Sequence, residues 1–399
     1  MRKVKTIADI PCQGKRAFVR VDFNVPIDDR GNVLDDSRIV ASLPTIRHLV
    51  QNGAKVVLAS HLGRPNGEKI MKYSLRNVAL ALAKRLGQPV LFVPDCVGSE
   101  VAAAIDGMAD GSVILLENLR FYKEETENDP EFAKKLASQA DIYVNDAFGC
   151  AHRAHASTVG MTRFVSRSVA GFLIERELEF LGARIVDPER PFVVVLGGSK
   201  VSDKINVIDN LLDKANTMLI GGAMSYTFLA ANGVPIGSSP VETDKIQLAH
   251  KAMEKASDIG VKLLLPVDHV VTSTFDREKM TIDSSFVSEL SIRSGETGVD
   301  IGPKTVELFK REIGSAATIL WNGPMGIFEV REASAGTFAI AGAIAKSGAL
   351  SIIGGGDSGK AIKESGYADE VSFISTGGGA SLEFLEGTPL PGIESLEKL

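Results

Sequence analysis

Short apolar runs rich in β-branched residues recur along the whole chain. They lie at Ala17–Val21, Lys55–Ala59, Val90–Val93, Ser112–Leu116 and Asp141–Val144, then at Phe192–Leu196, Thr217–Ile220, Lys262–Leu265, Ala317–Leu320, Leu350–Ile353 and Glu370–Ile374. Helix-like stretches such as Leu75–Leu86, Pro130–Gln139 and Lys204–Lys214 fall between them. The runs are continuous rather than alternating, as in strands covered on both faces of a parallel sheet. So many strands exceed one ordinary sheet, so the pattern predicts an α/β protein with two Rossmann-like, doubly wound parallel-sheet domains. Phe172–Leu181 reads as an amphipathic helix, and the Asp187–Pro191 stretch breaks it before a fresh strand begins. The predicted division is a first domain over 1–171, a connector helix and hinge over 172–190, and a second domain over 191–388. Periodicity does not assign the tail Pro389–Leu399 to either half.

The residues that follow the strands differ between the halves. In the first half they are cations and hydrogen-bonding side chains: Arg20, Asp22 and Asn24, then His61 and Arg64, then Glu117, Asn118 and Arg120. In the second half they are glycines, at 197–198, 221–222, 354–356 and 377–379. Cationic side chains suit a small, highly charged anion, and backbone N–H groups at Gly-rich turns suit a polyphosphate. Ligands of open α/β sheets bind beyond the carboxyl ends of the strands. If those rims face each other, two substrates can meet across a central cleft, and transfer between them then requires hinge closure over it.

Composition narrows the classes. At 399 residues two domains are expected, and a net charge of −6 argues against a general nucleic-acid or anionic-membrane binder. An anion site must then be a local concentration of Arg, Lys and His. Cys12, Cys96 and Cys150 are widely spaced, which fits a reducing compartment rather than a disulfide framework. The N-terminal residues lack an apolar signal core and no run approaches eighteen apolar residues, so a cytoplasmic protein is expected.

Several motifs exclude as much as they suggest. Gly354–Ala361 (GGGDSGKA) matches GxxxxGK, but Ala361 stands where a Walker A loop needs a metal-binding hydroxyl. Asp357 in that turn remains able to meet the metal of a metal–nucleotide complex. Lys200 and Lys204 are four apart, and on a helix they would share one face towards an anion. Arg38, His61, Arg64, Arg120 and Arg153 form the candidate anion clamp, since the guanidinium fork matches carboxylate and phosphate. Asp22 and Asn24 suit a substrate hydroxyl. Cys150, His152 and His155 lack a fourth metal ligand and enclose Arg153, which disfavours a cation. Glu117, Asp146 and Glu329 are candidate acid–base groups, but they form no paired-carboxylate or Ser/His/Asp pattern. No GxGxxG follows a strand.

Together these residues resemble the phosphoglycerate kinase family. The resemblance runs from Arg20–Pro26 (RVDFNVP) to Ser375–Ser381 (STGGGAS), through Ser60–Pro65 (SHLGRP), Glu117–Phe121 (ENLRF), Ala151–Ala156 (AHRAHA), Gly197–Lys204 (GGSKVSDK) and Trp321–Glu329 (WNGPMGIFE), in the family's order. It implies reversible phosphoryl transfer from 1,3-bisphosphoglycerate to ADP, giving 3-phosphoglycerate and ATP, with Mg2+ accompanying the nucleotide and a monomeric protein. It further implies phosphoglycerate binding by Asp22, Asn24, Arg38, His61, Arg64, Arg120 and Arg153. Nucleotide binding falls to Lys204, Gly298, Asn322, Glu329, Gly355, Gly356, Asp357 and Ser358, with Asp357 on the metal. Arg38, Lys200 and the N–H of Gly378 are assigned to the transferring phosphoryl group. Ser358 stands where family members usually carry Thr. The family's C-terminal segment returns to the first domain, which places 389–399 there. The rival readings are an ATP-dependent kinase or ligase acting on another carboxylate, and a non-catalytic phosphometabolite-binding protein.

Overall fold

The computed structural model describes residues 3–276, 278–282 and 284–399. The chain divides into two units, Met1–Glu179 with Pro389–Leu399, and Phe180–Thr388.

The first unit is built on six strands: β1 (Arg16–Val21), β2 (Lys55–Ala59), β3 (Val90–Val93), β4 (Val113–Leu116), β5 (Ile142–Asp146) and β6 (Ser168–Ala170). They form one parallel sheet in the order β3-β4-β2-β1-β5-β6. The chain winds outward from β1 and then returns to pair β5 with β1. That return is a topological switch point, where doubly wound sheets open a crevice. One face packs Val19, Val21, Val56, Leu58 and Val144 against Ile39, Ile46, Val78 and Leu82 of two helices. The C-terminal tail belongs to this unit: Lys5 N–H donates to Glu397 O at 2.9 Å, and Asn145 Nδ2 donates to Gly392 O at 3.1 Å.

The second unit holds β7 (Phe192–Leu196), β8 (Thr217–Ile220), β9 (Lys262–Leu264), β10 (His269–Thr272), β11 (Phe275–Asp276), β12 (Thr281–Ile282), β13 (Phe286–Ser288), β14 (Thr297–Ile301), β15 (Thr318–Asn322), β16 (Leu350–Gly354) and β17 (Phe373–Ile374). Its parallel sheet runs β17-β16-β15-β7-β8-β9, and the return pairs β15 with β7. Val193, Val195, Ile319, Trp321 and Ile353 are buried between this sheet and helices Pro303–Gly314 and Ala335–Lys346. Both units are thus parallel-sheet α/β domains.

All eleven predicted strands are present, most with their ends moved by one or two residues. Two parts of the fold differ from the expectation. An antiparallel sheet, β13-β10-β14, and the hairpin β11-β12 are inserted before β15. The connector is a helix over Phe172–Glu177, a π-helical turn over Leu178–Ala183 and a last turn over Arg184–Val186. The division between the units falls inside the π-helical turn.

Candidate active site

In the first unit, Asp22, Asn24 and the 61–64 loop lie beyond β1 and β2, and Arg120 lies in a single helical turn beyond β4. Asn118 ties the two loops together. Its buried amide accepts from Leu62 N and Arg120 N at 3.1 and 3.0 Å, and donates to Leu62 O and Tyr73 O at 2.7 and 2.9 Å. With all its capacity used, it fixes both loops. Gly63 turns the chain at φ +63°, and a Cβ there would meet the Tyr73 ring at 2.5 Å. Glycine is therefore required on conformational and steric grounds. Its N–H donates to Asn24 Oδ1 at 2.9 Å and its carbonyl accepts from Arg120 Nη1 at 2.8 Å.

Arg38 stands in the first turn of helix Ser37–Gln51 and is ion-paired with the mostly buried Asp22. Arg64, Asn66, Arg120, Thr126, Arg153 and His155 line a cavity of about 340 Å3. Arg64 and Arg153 are exposed, whereas Arg120 is half-buried. His61 is 4% exposed. Burial, then the charges of Arg20, Arg120 and Arg38, hold its pKa well below the usual histidine value. Burial and neighbouring guanidinium groups likewise hold His155 down to about 4. Both imidazoles are neutral at physiological pH, so the fixed charge of this rim comes from its arginines.

Asp22, His61 and Cys150 bring ligand atoms within 4.8 Å of one another. Arg20, Arg38 and Arg120 crowd this cluster with positive charge, and burial pushes the Cys150 thiol up to about 11. A neutral thiol amid guanidinium groups does not suit a cation.

The candidate acid–base carboxylates are committed elsewhere. Glu117 accepts from Ser74 Oγ, Leu75 N and Asn118 N at 2.8, 2.9 and 2.8 Å. Asp146 accepts from Leu173 N at 2.9 Å at the start of the connector helix, and burial raises its pKa to about 7. Glu329 is exposed on the second unit, 3.8 Å from Lys360 Nζ.

The second rim lies where β15 returns beside β7. Here the glycines do something other than predicted. The N–H groups of Gly197, Gly198, Gly221 and Gly222 donate to Asn322 O, Pro324 O, Leu196 O and Met325 O at 3.0, 3.0, 2.8 and 3.1 Å. A Cβ on Gly197 would lie 2.1 Å from Pro324 O, and one on Gly222 2.5 Å from Gly198 N. These glycines allow three turns to stack backbone on backbone; they are not spare anion donors. Gly377 is similar, since its N–H donates to Ser375 Oγ at 3.1 Å. Gly378 precedes helix Gly379–Leu385 at φ +53°.

The two lysines also part company. Residues 199–203 form a turn braced by Glu242, whose carboxylate accepts from Val201 N, Ser202 N and Ser202 Oγ at 2.5, 3.1 and 2.6 Å. The helix begins only at Ile205, so Lys200 and Lys204 do not share a helical face. Lys200 is exposed, whereas Lys204 is 8% exposed and donates to Asn322 O at 2.8 Å and to Asn322 Oδ1. Burial lowers its pKa to about 8, partly opposed by Asp357 and Asp203.

Helix Gly356–Glu364 opens on Gly355 and carries Asp357 exposed in its first turn. A helix start leaves N–H groups without intrahelical partners, so here the predicted anion-binding turn has the right form. Ser358 is buried, and its hydroxyl accepts from Gly323 N at 2.6 Å, bracing the Asn322–Gly323 turn. Lys204, Asn322, Gly355, Gly356, Asp357 and Ser358 are thereby gathered at one strand-end rim. Gly298 stands in β14, and Ile327 N–H donates to Val299 O at 2.9 Å, which sets that strand beside the segment carrying Glu329. Glu125, Ser157 and Tyr226, which support these rims, have no strand-end position or motif to mark them, and Arg20, marked by both, lies buried within β1 rather than on the rim.

The family model described as phosphoglycerate kinase matches residues 7–388. The chain belongs to the phosphoglycerate kinase family. It is 52% identical over 397 residues to the phosphoglycerate kinase of Anaeromyxobacter dehalogenans strain 2CP-1, covering 99% of this chain and 100% of that protein. It is 53% identical over 396 residues to that of Chlorobium phaeobacteroides, covering 98% and 99%. Among solved structures, phosphoglycerate kinase from Coxiella burnetii superposes with a TM-score of 0.88 at 40% identity, covering 98% of each chain. The phosphoglycerate kinase of Pyrococcus horikoshii OT3 superposes at 0.83 with 33% identity, covering 99% of this chain and 98% of that one. Among the described residues no helix is long and apolar enough to cross a membrane.

Proposed function

We propose that this member of the phosphoglycerate kinase family moves a phosphoryl group between 1,3-bisphosphoglycerate and ADP, reversibly, giving 3-phosphoglycerate and ATP. The observation that carries the reading is the pairing, within one chain of this family, of an arginine-lined cavity on one unit with a lysine-flanked, glycine-opened helix start on the other. Phosphoglycerate is held by Asp22, Asn24, Arg38, His61, Arg64, Arg120 and Arg153. The nucleotide is held by Lys204, Gly298, Asn322, Glu329 and Gly355–Ser358.

The chemistry follows from the charges. In the ATP-consuming direction the nucleophile is a carboxylate, ionised at neutral pH because its reference pKa is about 4. No residue need remove a proton, which agrees with the neutral His61 and His155 and the sequestered Glu117 and Asp146. Catalysis then rests on positioning and on stabilising charge spread over the equatorial oxygens. Arg38, the exposed Lys200 and the N–H of Gly378 take that role. An exposed carboxylate beside phosphate oxygens is a donor set that fits Mg2+, and Asp357 supplies it. Magnesium bound there neutralises nucleotide phosphate charge; the residues named above orient the reacting groups and exclude water.

Reacting atoms must come within about 3–3.5 Å. Because the two sets of binding residues belong to different units, closure about the 172–190 connector accompanies binding of both substrates. Small-angle scattering with each ligand and with both would then report compaction only with both; an unchanged radius would count against it. The decisive test of function is a coupled assay with 3-phosphoglycerate and Mg–ATP. Failure to form bisphosphoglycerate in that direction, and ATP in the other, would overturn the assignment.

A further inference from the structure

Arg20 is wholly buried in β1 at 1% exposure, beneath the anion-binding rim. Its guanidinium reaches four partners. Nε donates to Ser157 Oγ at 2.8 Å, Nη1 to Val21 O, and Nη2 approaches both His61 Nδ1 at 3.1 Å and Cys150 Sγ at 3.6 Å. Ser157 is itself gripped by Glu125, which is 0% exposed. The carboxylate accepts from Ser157 Oγ at 2.6 Å and from Ser157 N at 2.9 Å.

A guanidinium is donor only and does not lose its proton in proteins. The hydrogen bond to His61 therefore requires a lone pair on Nδ1, and the one ring proton must sit on Nε2. The hydroxyl of Ser157 is fixed in the same way: it accepts from Arg20 and so must donate to Glu125. Each proton in the chain has one place.

We infer that Arg20, braced by Ser157 and Glu125, is a positioning residue that locks His61 as the neutral tautomer protonated on Nε2. The inference rests on the proposed contact between His61 and phosphoglycerate. It gives that contact a definite chemistry: an uncharged donor that cannot serve as an acceptor, set among the charged Arg38, Arg64, Arg120 and Arg153. The groups facing the ring, Arg20, Arg38, Arg120, Asp22, Cys150 and His155, include three fixed cations, which oppose protonation of Nδ1.

The test is nitrogen-15 NMR of the histidine side chains in the full-length protein, assigned by comparison with His61→Gln. An acceptor-type Nδ1 and an N–H-type Nε2 are expected, unchanged from pH 8 to pH 5.5. Protonation on Nδ1, or a midpoint inside that range, would overturn the inference. In Ser157→Ala, with the fold checked by circular dichroism, a mixed tautomer is expected. KM for 3-phosphoglycerate should rise roughly tenfold, as for loss of one hydrogen bond to a charged ligand, while KM for Mg–ATP stays unchanged. A purely structural brace would lower stability and leave tautomer and KM alone, which would also overturn it. Adding 3-phosphoglycerate should move the His61 Nε2 signal. If it does not while the tautomer is as stated, the substrate contact fails and the lock stands.

Discussion

Replacing Lys204 by Met should change how stability depends on pH in a calculable way. Lys204 titrates near pH 8 in the folded protein, against 10.5 when exposed, chiefly because it is buried. The shift of some 2.5 units, at 1.36 kcal/mol each, means that burying the charged ammonium costs about 3 kcal/mol. Below pH 8 the lysine is charged in both states and the full cost is present. Between about 8 and 10.5 the folded protein has released a proton that the unfolded chain still holds, so native stability rises with pH. Above 10.5 the cost is gone. Met carries no such term. The stability of Lys204→Met relative to the native protein should therefore fall by about 3 kcal/mol across that window. At neutral pH the removed charge offsets the lost hydrogen bonds to Asn322, so the variant should be nearly as stable as the native protein. Trp321 is the only tryptophan and is buried one residue from Asn322, so its fluorescence in urea titrations reports this unit directly. Nucleotide affinity should drop at least tenfold, since the proposed charge-assisted contact to phosphate disappears. A stability difference that stays constant from pH 7 to 11 would refute the account, because it would mean the buried ammonium titrates like an exposed one.

Arg38→Ala should lower turnover by about 10²–10³-fold with the fold retained, as for loss of a donor to developing transition-state charge; near-normal turnover would remove Arg38 from that role. His155 titrates at about 4 when folded and near 6.5 when unfolded. As pH falls through that interval the unfolded chain binds a proton the folded one does not, so stability drops; His155→Gln should flatten this dependence, read by exchange of the β1 amides. Gly298→Ala would place a methyl carbon 1.9 Å from Tyr226 Oη. The strain should lower the melting temperature of the second unit, by about 2–4 °C per kcal/mol, and weaken nucleotide binding; an unchanged melting temperature would show that Tyr226 moves aside freely.

The parallel sheets were legible because their strands are continuous apolar runs long enough to stand out from the helices between them. β6 was not, since Ser168–Ala170 is three residues with one β-branched side chain, and its place is set by the sheet edge it completes. The antiparallel insertion is unmarked in the sequence for a related reason: β11 and β12 are two residues each, and two of the three residues of β13 are exposed. At the candidate site, residue identity was legible and residue environment was not. Gly197 and Gly355 look alike in sequence, yet one carries its N–H into a neighbouring turn and the other opens a helix. Lys200 and Lys204 likewise differ only because the chain makes a Glu242-braced turn before the helix starts, a contact across forty residues. Arg20 and Ser157 meet across 137 residues, so no local pattern announces their pairing.

The two rims nevertheless share one construction. Each lies where a strand returns to the middle of its sheet, at β1–β5 and at β7–β15. At each, one cation is buried and held by fixed partners, Arg20 in the first and Lys204 in the second, while others stand exposed above it. A buried cation is costly unless it is hydrogen-bonded, and a structure that meets this cost twice at the same topological position obtains rigidity in return. Arg20 fixes the direction of the His61 proton, and Lys204 fixes Asn322 and the turn behind it. Among the described residues the exposed Arg64 and Lys200 have no such partners, and Arg153 has only its chain neighbour His152, to which Nε donates at 3.0 Å, so these cations remain able to follow a ligand. In the proposed function, preorganised groups below and adaptable charges above suit phosphoryl transfer without a base: the first set is to keep donors aimed at the reacting oxygens, and the second to accommodate a group whose charge moves from one substrate to the other.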